Sequence, residues 1–204
     1  QFGGAVGTMA ALGADGPAVA ATLAAELGLA LPTVPWHTSR GRIAELAAAL
    51  GLVAGAVGRV ALDVTLLAQA EIGEVAEGSP GGSSAMPHKR NPSRSTLVTA
   101  CVHRVPGLVA TVFAGQPQEL QRATGRWQAE WQVVTDLLRL VGAAAAHHRV
   151  LVDELLVDAD RMAANLAAAD LPDAAAAGPV TAAAALVDRA LAANANARPP
   201  GGRT

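Results

Sequence analysis

Lysine is almost missing from this chain. Lys89 stands alone, and every other fixed cation is an arginine. Tyrosine is absent and aromatics reach only 2% of residues, confined to Phe2, Trp36, Phe113, Trp127 and Trp131. Cys101 is the single cysteine, so no internal disulfide can form and a reducing, cytoplasmic compartment fits. Its apolar helical surroundings, between Val98 and Val105, predict a buried packing thiol. Excess charge is lacking too: the formal net charge is −2, which leaves no electrostatic basis for a nucleic-acid partner or an anionic membrane surface. Polar or Gly-rich positions interrupt each apolar run, so no membrane span is expected. No basic start precedes an apolar core, as a signal peptide would require. No His, Cys and carboxylate set has metal-ligand spacing, so no metal is expected.

What is present is helix-forming apolar residue. Hydrophobic residues make up 51% of the 204 and charged residues 16%, with Ala and Leu dominating. That composition predicts an all-α protein with large buried faces. Residues 1–12 read as the end of a helix closed by Gly13 and Gly16, as though the chain began inside a longer protein. Asp15-Gly16-Pro17 opens a second helix that stops at Gly28. Residues 29–43 form a connection. Ile43, Leu46, Leu50, Val53, Val57, Val60, Val64 and Leu67 then follow an alternating 3,4 spacing, the seam of a long helix. Leu52, Leu62, Leu66 and Ile72 add a second stripe, which predicts burial among other helices.

Further helices are expected over about 93–114, disturbed at Pro106-Gly107, and over 118–148, where Trp127, Trp131, Val134, Leu138 and Val141 keep a 4,3 spacing. Two more are expected over 150–167, capped by Asp158 or Asp160, and over about 180–193. The final ARPPGGRT reads as disordered. Trp127 and Trp131 read as core packing, with the wall of a pocket that has Glu130 beside it as the alternative. The domain division is residues 1–157, a helical bundle carrying a polar loop at 78–92, and 158–204, a short C-terminal helical region. Long apolar helices expose more surface than so short a chain covers, and self-association follows.

One segment breaks this pattern. GGSSAMPHKRNP, residues 81–92, gathers glycines, two serines, two prolines, an asparagine and the only lysine. Pro87 and Pro92 keep it from continuing as helix. Ser83 and Ser84 supply hydroxyls, and Lys89 and Asn91 supply donors suited to an anion. A second polar cluster, Trp36, His37, Thr38, Arg40 and Arg42, precedes the seam helix. Its arginines could clamp carboxylates; equally, Thr38 or Ser39 could cap the helix beside solvated arginines.

The run GSSAMPHKRNP resembles the signature loop of the fumarase/aspartase superfamily, G-S-S-x-M-P-x-K-x-N-P. The flanking PWHTSRGRI (35–43), RVPGLVATVF (104–113), RATGRWQAEW (122–131) and the opening QFGGAVGT are similar to the bacterial 3-carboxy-cis,cis-muconate cycloisomerases. The resemblance covers about residues 1–167. It implies the superfamily's long-helix bundle, a homotetramer with sites shared between subunits, a small polycarboxylate substrate and no cofactor. It implies that Ser83 moves a proton to or from carbon, while Lys89 and Asn91 bind the substrate carboxylate and steady an enolate-like intermediate. Thr38, Arg40, Ser84, Met86, His88 and Arg122 complete the implied substrate-binding set; Ser84 and Met86 also shape and pack the loop, and Arg122 matches a substrate-contacting position of adenylosuccinate lyases. Intramolecular carboxylate addition giving a muconolactone is the implied reaction. Adenylosuccinate lyase chemistry, or another fumarate-releasing lyase, is the alternative. A non-catalytic oligomerising fragment is a further alternative, because the superfamily's two earlier site regions, with their histidine acid, would precede Gln1.

Overall fold

The computed structural model describes residues 1–86, 90–121, 123–169 and 179–197. Its helices are α1 (Gly16–Glu26), α2 (Gly41–Leu67), α3 (Ser93–Ala114), α4 (Arg126–Asp153), α5 (Ala159–Ala168) and α6 (Pro179–Ala197). Two three-residue strands, β1 (Val75–Glu77) and β2 (Leu155–Val157), pair antiparallel with Val75 opposite Val157. The fold is all-α. The chain divides into two units, residues 1–157 and 158–204.

In the first unit α2, α3 and α4 pack on one another around Ala47, Ala54, Val105, Val112, Leu137 and Val141. The buried row of α2 is Ala47, Ala54, Val57, Ala61 and Val64. It differs from the expected seam in using alanines where Leu46, Val53 and Val60 were expected. Leu46 and Val53 are exposed, as are Leu52, Leu62 and Leu66 of the second stripe. Alanine lets helix axes approach closely, and the leucines are left on the outer face. Gly58 shows how close the approach is: a Cβ there would lie 2.9 Å from Val102 Cγ1. Gly58→Ala is therefore expected to destabilise the bundle by about 1–3 kcal/mol through overpacking. Gly55→Ala meets nothing within 4 Å and should gain up to about 1 kcal/mol of helix propensity. Urea unfolding of the two variants checks the opposite signs.

Several boundaries differ from those expected. Residues 1–9 are not helical, and a 3-10 turn at Ala10–Asp15 follows; Gly4 and Gly7 adopt φ of 71° and 83°, outside the helical region. α3 passes through Pro106 unbroken, its ring lying on the exposed side of the helix. α4 begins at Arg126 rather than 118, because Leu120, Ala123 and Gly125 take positive φ. It continues to Asp153, where β2 interrupts the helix expected over 150–167. Asp158 then caps α5, its Oδ1 accepting the Arg161 amide at 2.8 Å. Cys101 is half-buried rather than fully buried. By length and composition α2 and α3 could each cross a bilayer, contrary to the expectation that interruptions forbid it: glycine lowers hydropathy too little to offset the Ala, Val and Leu around it. The expected disordered tail lies, from residue 198 on, outside the described residues.

Candidate active site

The signature loop is held at its base by backbone. Gly81 and Asn91 exchange two N–H to carbonyl bonds of 2.9 Å each, which joins the two ends of the segment. Asn91 reinforces the base with its side chain, Nδ2 donating to the Gly82 carbonyl at 3.3 Å. Behind the base, Glu77 is 4% exposed. Its Oε2 accepts the Arg94 amide at 3.0 Å, and its Oε1 accepts both the Ser95 amide (2.8 Å) and the Ser95 hydroxyl (2.9 Å). These are first-turn amides of α3, which lack intrahelical partners, and a carboxylate complements the positive end of the helix dipole. Gly78 extends the anchoring, its amide donating to the Glu154 carbonyl at 3.0 Å.

Within the loop, the Ser83 Oγ accepts two backbone N–H groups, from Met86 at 3.1 Å and Ala85 at 3.3 Å. Two donors aimed at one hydroxyl oxygen stabilise negative charge on it, which a serine needs before it can exchange a proton with carbon. Met86 thus contributes its amide, while its side chain is exposed, as is Ser84. His88 and Lys89 lie outside the described residues. Arg90 and Asn91 line a small cavity of about 50 Å³ with Glu77, Pro80 and Pro92.

Thr38 and Arg40 join a different group, centred on Glu130 at the start of α4. Arg40 donates from Nε to Glu130 Oε2 at 2.9 Å, and its Nη2 lies 2.8 Å from the same oxygen. Gln118 Nε2 donates to Glu130 Oε1 at 2.7 Å. The Arg40 side chain is 12% exposed and that of Glu130 3%, so the guanidinium is committed to this carboxylate. It also stacks over Trp36, 5.5 Å from the ring centroid. The Thr38 hydroxyl donates to the Leu120 carbonyl at 3.0 Å. Leu120 and Ala123, at φ of 50° and 47°, bracket Arg122, which lies outside the described residues. Beside them His37, Trp127 and Trp131 form an aromatic run with centroid separations of 4.9 and 5.4 Å. Trp131 is 58% exposed, so the core-packing expectation fails for it: the buried row of α4 runs through Glu130, Leu137, Val141, Ala144 and Leu151 instead.

Sequence reasoning missed Glu77 and Gln118, and it placed Glu130 only beside a pocket walled by Trp127 and Trp131, not as the partner of Arg40. Glu130 carried a faint signal, standing seven residues before Leu137 and eleven before Val141 on the same face. Glu77 carried none, since its partners lie 17 and 18 residues away across the loop.

Residues 1–107 match the family model described as Lyase. The chain belongs to this lyase family. Among curated relatives, the 3-carboxy-cis,cis-muconate cycloisomerase of Pseudomonas aeruginosa is 54% identical over 81% of the chain and 37% of the relative. That of Pseudomonas putida is 50% identical over 80% and 40%. The solved 3-carboxy-cis,cis-muconate lactonizing enzyme from Pseudomonas putida superposes with a TM-score of 0.73 at 48% identity, over 81% of this chain and 37% of that structure. The chain is thus a fumarase/aspartase-superfamily member that spans about two fifths of the length of the relatives it matches.

Proposed function

We propose that this chain is the loop-bearing central segment of a 3-carboxy-cis,cis-muconate cycloisomerase. The observation that carries the reading is the Ser83 hydroxyl oxygen facing two backbone N–H donors inside the signature loop. In the lactonising direction a substrate carboxylate oxygen bonds to one alkene carbon. The π pair moves toward the neighbouring carboxylate, and the adjacent carbon takes a proton from Ser83. All substrate atoms are retained and no electron is transferred. The serine is left as an oxyanion, which the Ala85 and Met86 amides stabilise without reorganising. Lys89 and Asn91 are assigned to the substrate carboxylate that carries the developing enolate-like charge, and His88, Ser84 and Arg122 to the surrounding contacts. Arg40 and Thr38 act in this reading by holding the 118–123 segment in place rather than by binding substrate directly.

The exposed Leu46, Leu52, Val53, Leu62 and Leu66 on α2 support assembly into a homotetramer in which other subunits complete each site. A cytoplasmic location suits such a metabolic enzyme. The test is to offer the protein 3-carboxy-cis,cis-muconate and adenylosuccinate in parallel. Loss of the conjugated-diene absorbance with lactone formation is the expected result. Fumarate release from adenylosuccinate at the higher kcat/KM would overturn it. A tetramer by sedimentation that turns over neither substrate would favour the non-catalytic scaffold.

A further inference from the structure

We propose that Glu77 is the positioning residue of the signature loop, setting the geometry of the Gly81–Asn91 base from which Ser83 and Asn91 project. Three facts converge on this. Glu77 is buried yet accepts three hydrogen bonds from α3, at Arg94 and Ser95. The loop's exit runs straight into those residues, with Asn91 joined to Gly81 on one side and Ser93 donating its amide back to the Asn91 carbonyl at 2.8 Å on the other. The loop's entry starts from Glu77 itself, and the next residue is pinned against Glu154, where a Cβ on Gly78 would sit 2.7 Å from the Glu154 carbonyl oxygen. The two ends of the loop are therefore locked to each other through one carboxylate. Both oxygens are needed as acceptors. An amide in its place could satisfy Ser95 with its oxygen but would turn an N–H₂ toward the Arg94 N–H, donor against donor. The same carboxylate thus fixes where α3 begins relative to β1, and so the separation that the Gly81–Asn91 bridge must span.

The part of this proposal that concerns catalysis rests on the reading of Ser83 given above, so the test reads loop geometry rather than turnover. Amide hydrogen exchange is followed by NMR in the full chain for the wild type, Glu77→Gln and Ser95→Ala. In Glu77→Gln, the Arg94 amide is expected to exchange at least ten-fold faster, and the Gly81 and Asn91 amides several-fold faster. The core amides of Val105 and Leu137 should stay unchanged. Ser95→Ala, which loses only the hydroxyl bond, should leave the Gly81–Asn91 pair within two-fold of wild type. A simple helix cap would accelerate Arg94 and Ser95 alone, and an unmoved Gly81–Asn91 pair in Glu77→Gln overturns the proposal. Equal loss in Ser95→Ala overturns it as well. Should Glu77→Gln lose core protection, Glu77→Asp replaces it. That variant keeps both acceptor oxygens but withdraws them from Arg94 and Ser95 by one methylene, and the same acceleration at Gly81 and Asn91 is expected; wild-type rates there would overturn the proposal. Failure of the cycloisomerase reading leaves these exchange rates untouched, and failure of the positioning role leaves Ser83 as assigned.

Discussion

Ser83→Ala is expected to lower turnover of the assembled enzyme by about 10²–10⁴-fold, the usual worth of a positioned proton-transfer group. Folding and assembly should stay at wild-type levels. The substitution removes one oxygen from a half-buried loop position. That oxygen accepts only local amides, from Ala85 and Met86, which can turn to water when it is gone. The stability cost is therefore confined to the loop, whereas the chemical cost is the loss of the proton donor itself. KM should change little, because the substrate's carboxylates are assigned to other donors; a fall in kcat with KM held constant marks a group that acts in the transition state rather than in ground-state binding. Steady-state kinetics beside thermal unfolding checks both halves. Turnover within a few-fold of wild type would remove Ser83 from the mechanism. A parallel rise in KM and fall in melting temperature would make it a loop-folding residue.

The largest stability effect is expected at Glu130. Glu130→Ala should destabilise the first unit by about 3–5 kcal/mol, because it strands the Arg40 guanidinium in a nearly dry site. The geometry makes the loss hard to absorb. Arg40 approaches a single carboxylate oxygen with two nitrogens, at 2.8 and 2.9 Å, while Gln118 uses the other oxygen. Removing the carboxylate unpairs a cation and an amide together. Arg40→Met with Glu130→Leu should cost much less than Glu130→Ala alone, since a buried ion pair replaced whole by apolar side chains of similar volume is often nearly neutral. Gln118, half-buried at the edge of the group, can then turn its amide to solvent. Urea denaturation of the single and double variants measures the coupling directly. If Glu130→Ala costs under about 1 kcal/mol, the pair is no stronger than an exposed surface bridge, and the cluster around Thr38 and Arg40 has another source of rigidity. By contrast Arg149 and Asp153, paired at 3.5 Å on the surface of α4, should contribute almost nothing, as exposed one-turn pairs do.

Parts of this molecule could be read directly from residue order. The loop at 81–92 declared itself through the types and order of its residues, and Pro92 marked its exit where α3 begins one residue later. The course of α2 followed from its apolar periodicity, although Ile72 of the second stripe lies beyond its end at Leu67; Asp158, one of two cap candidates for a helix expected over 150–167, caps a helix that begins only after β2. The start of α4 was not readable in the same way. Gln116–Gly125 contains no proline after Pro117 and has respectable helix formers. Yet Leu120 and Ala123 are held at positive φ, a conformation non-glycine residues take at a cost that surrounding contacts must offset. One such contact is the Thr38 hydroxyl on the Leu120 carbonyl, 82 residues away in sequence.

Which face of each long helix is buried shows the division most clearly. α2 and α4 each carry more than one apolar row at 3,4 spacing, and periodicity alone ranks the row of larger residues first. The chain buries alanines on α2 and leaves Leu52 78% exposed; on α4 it buries Glu130 and turns Trp131 outward. The sequence by itself determined that these segments are helices, where the signature loop lies, and which superfamily the chain resembles, because backbone propensity, loop composition and motif order are local properties. Tertiary structure alone decided the helix faces, the pairing of Arg40 with Glu130 and the anchoring of the loop by Glu77. A buried charge is tolerable only if a partner from a distant segment arrives to neutralise it, and a helix end is satisfied only if an acceptor is folded against it.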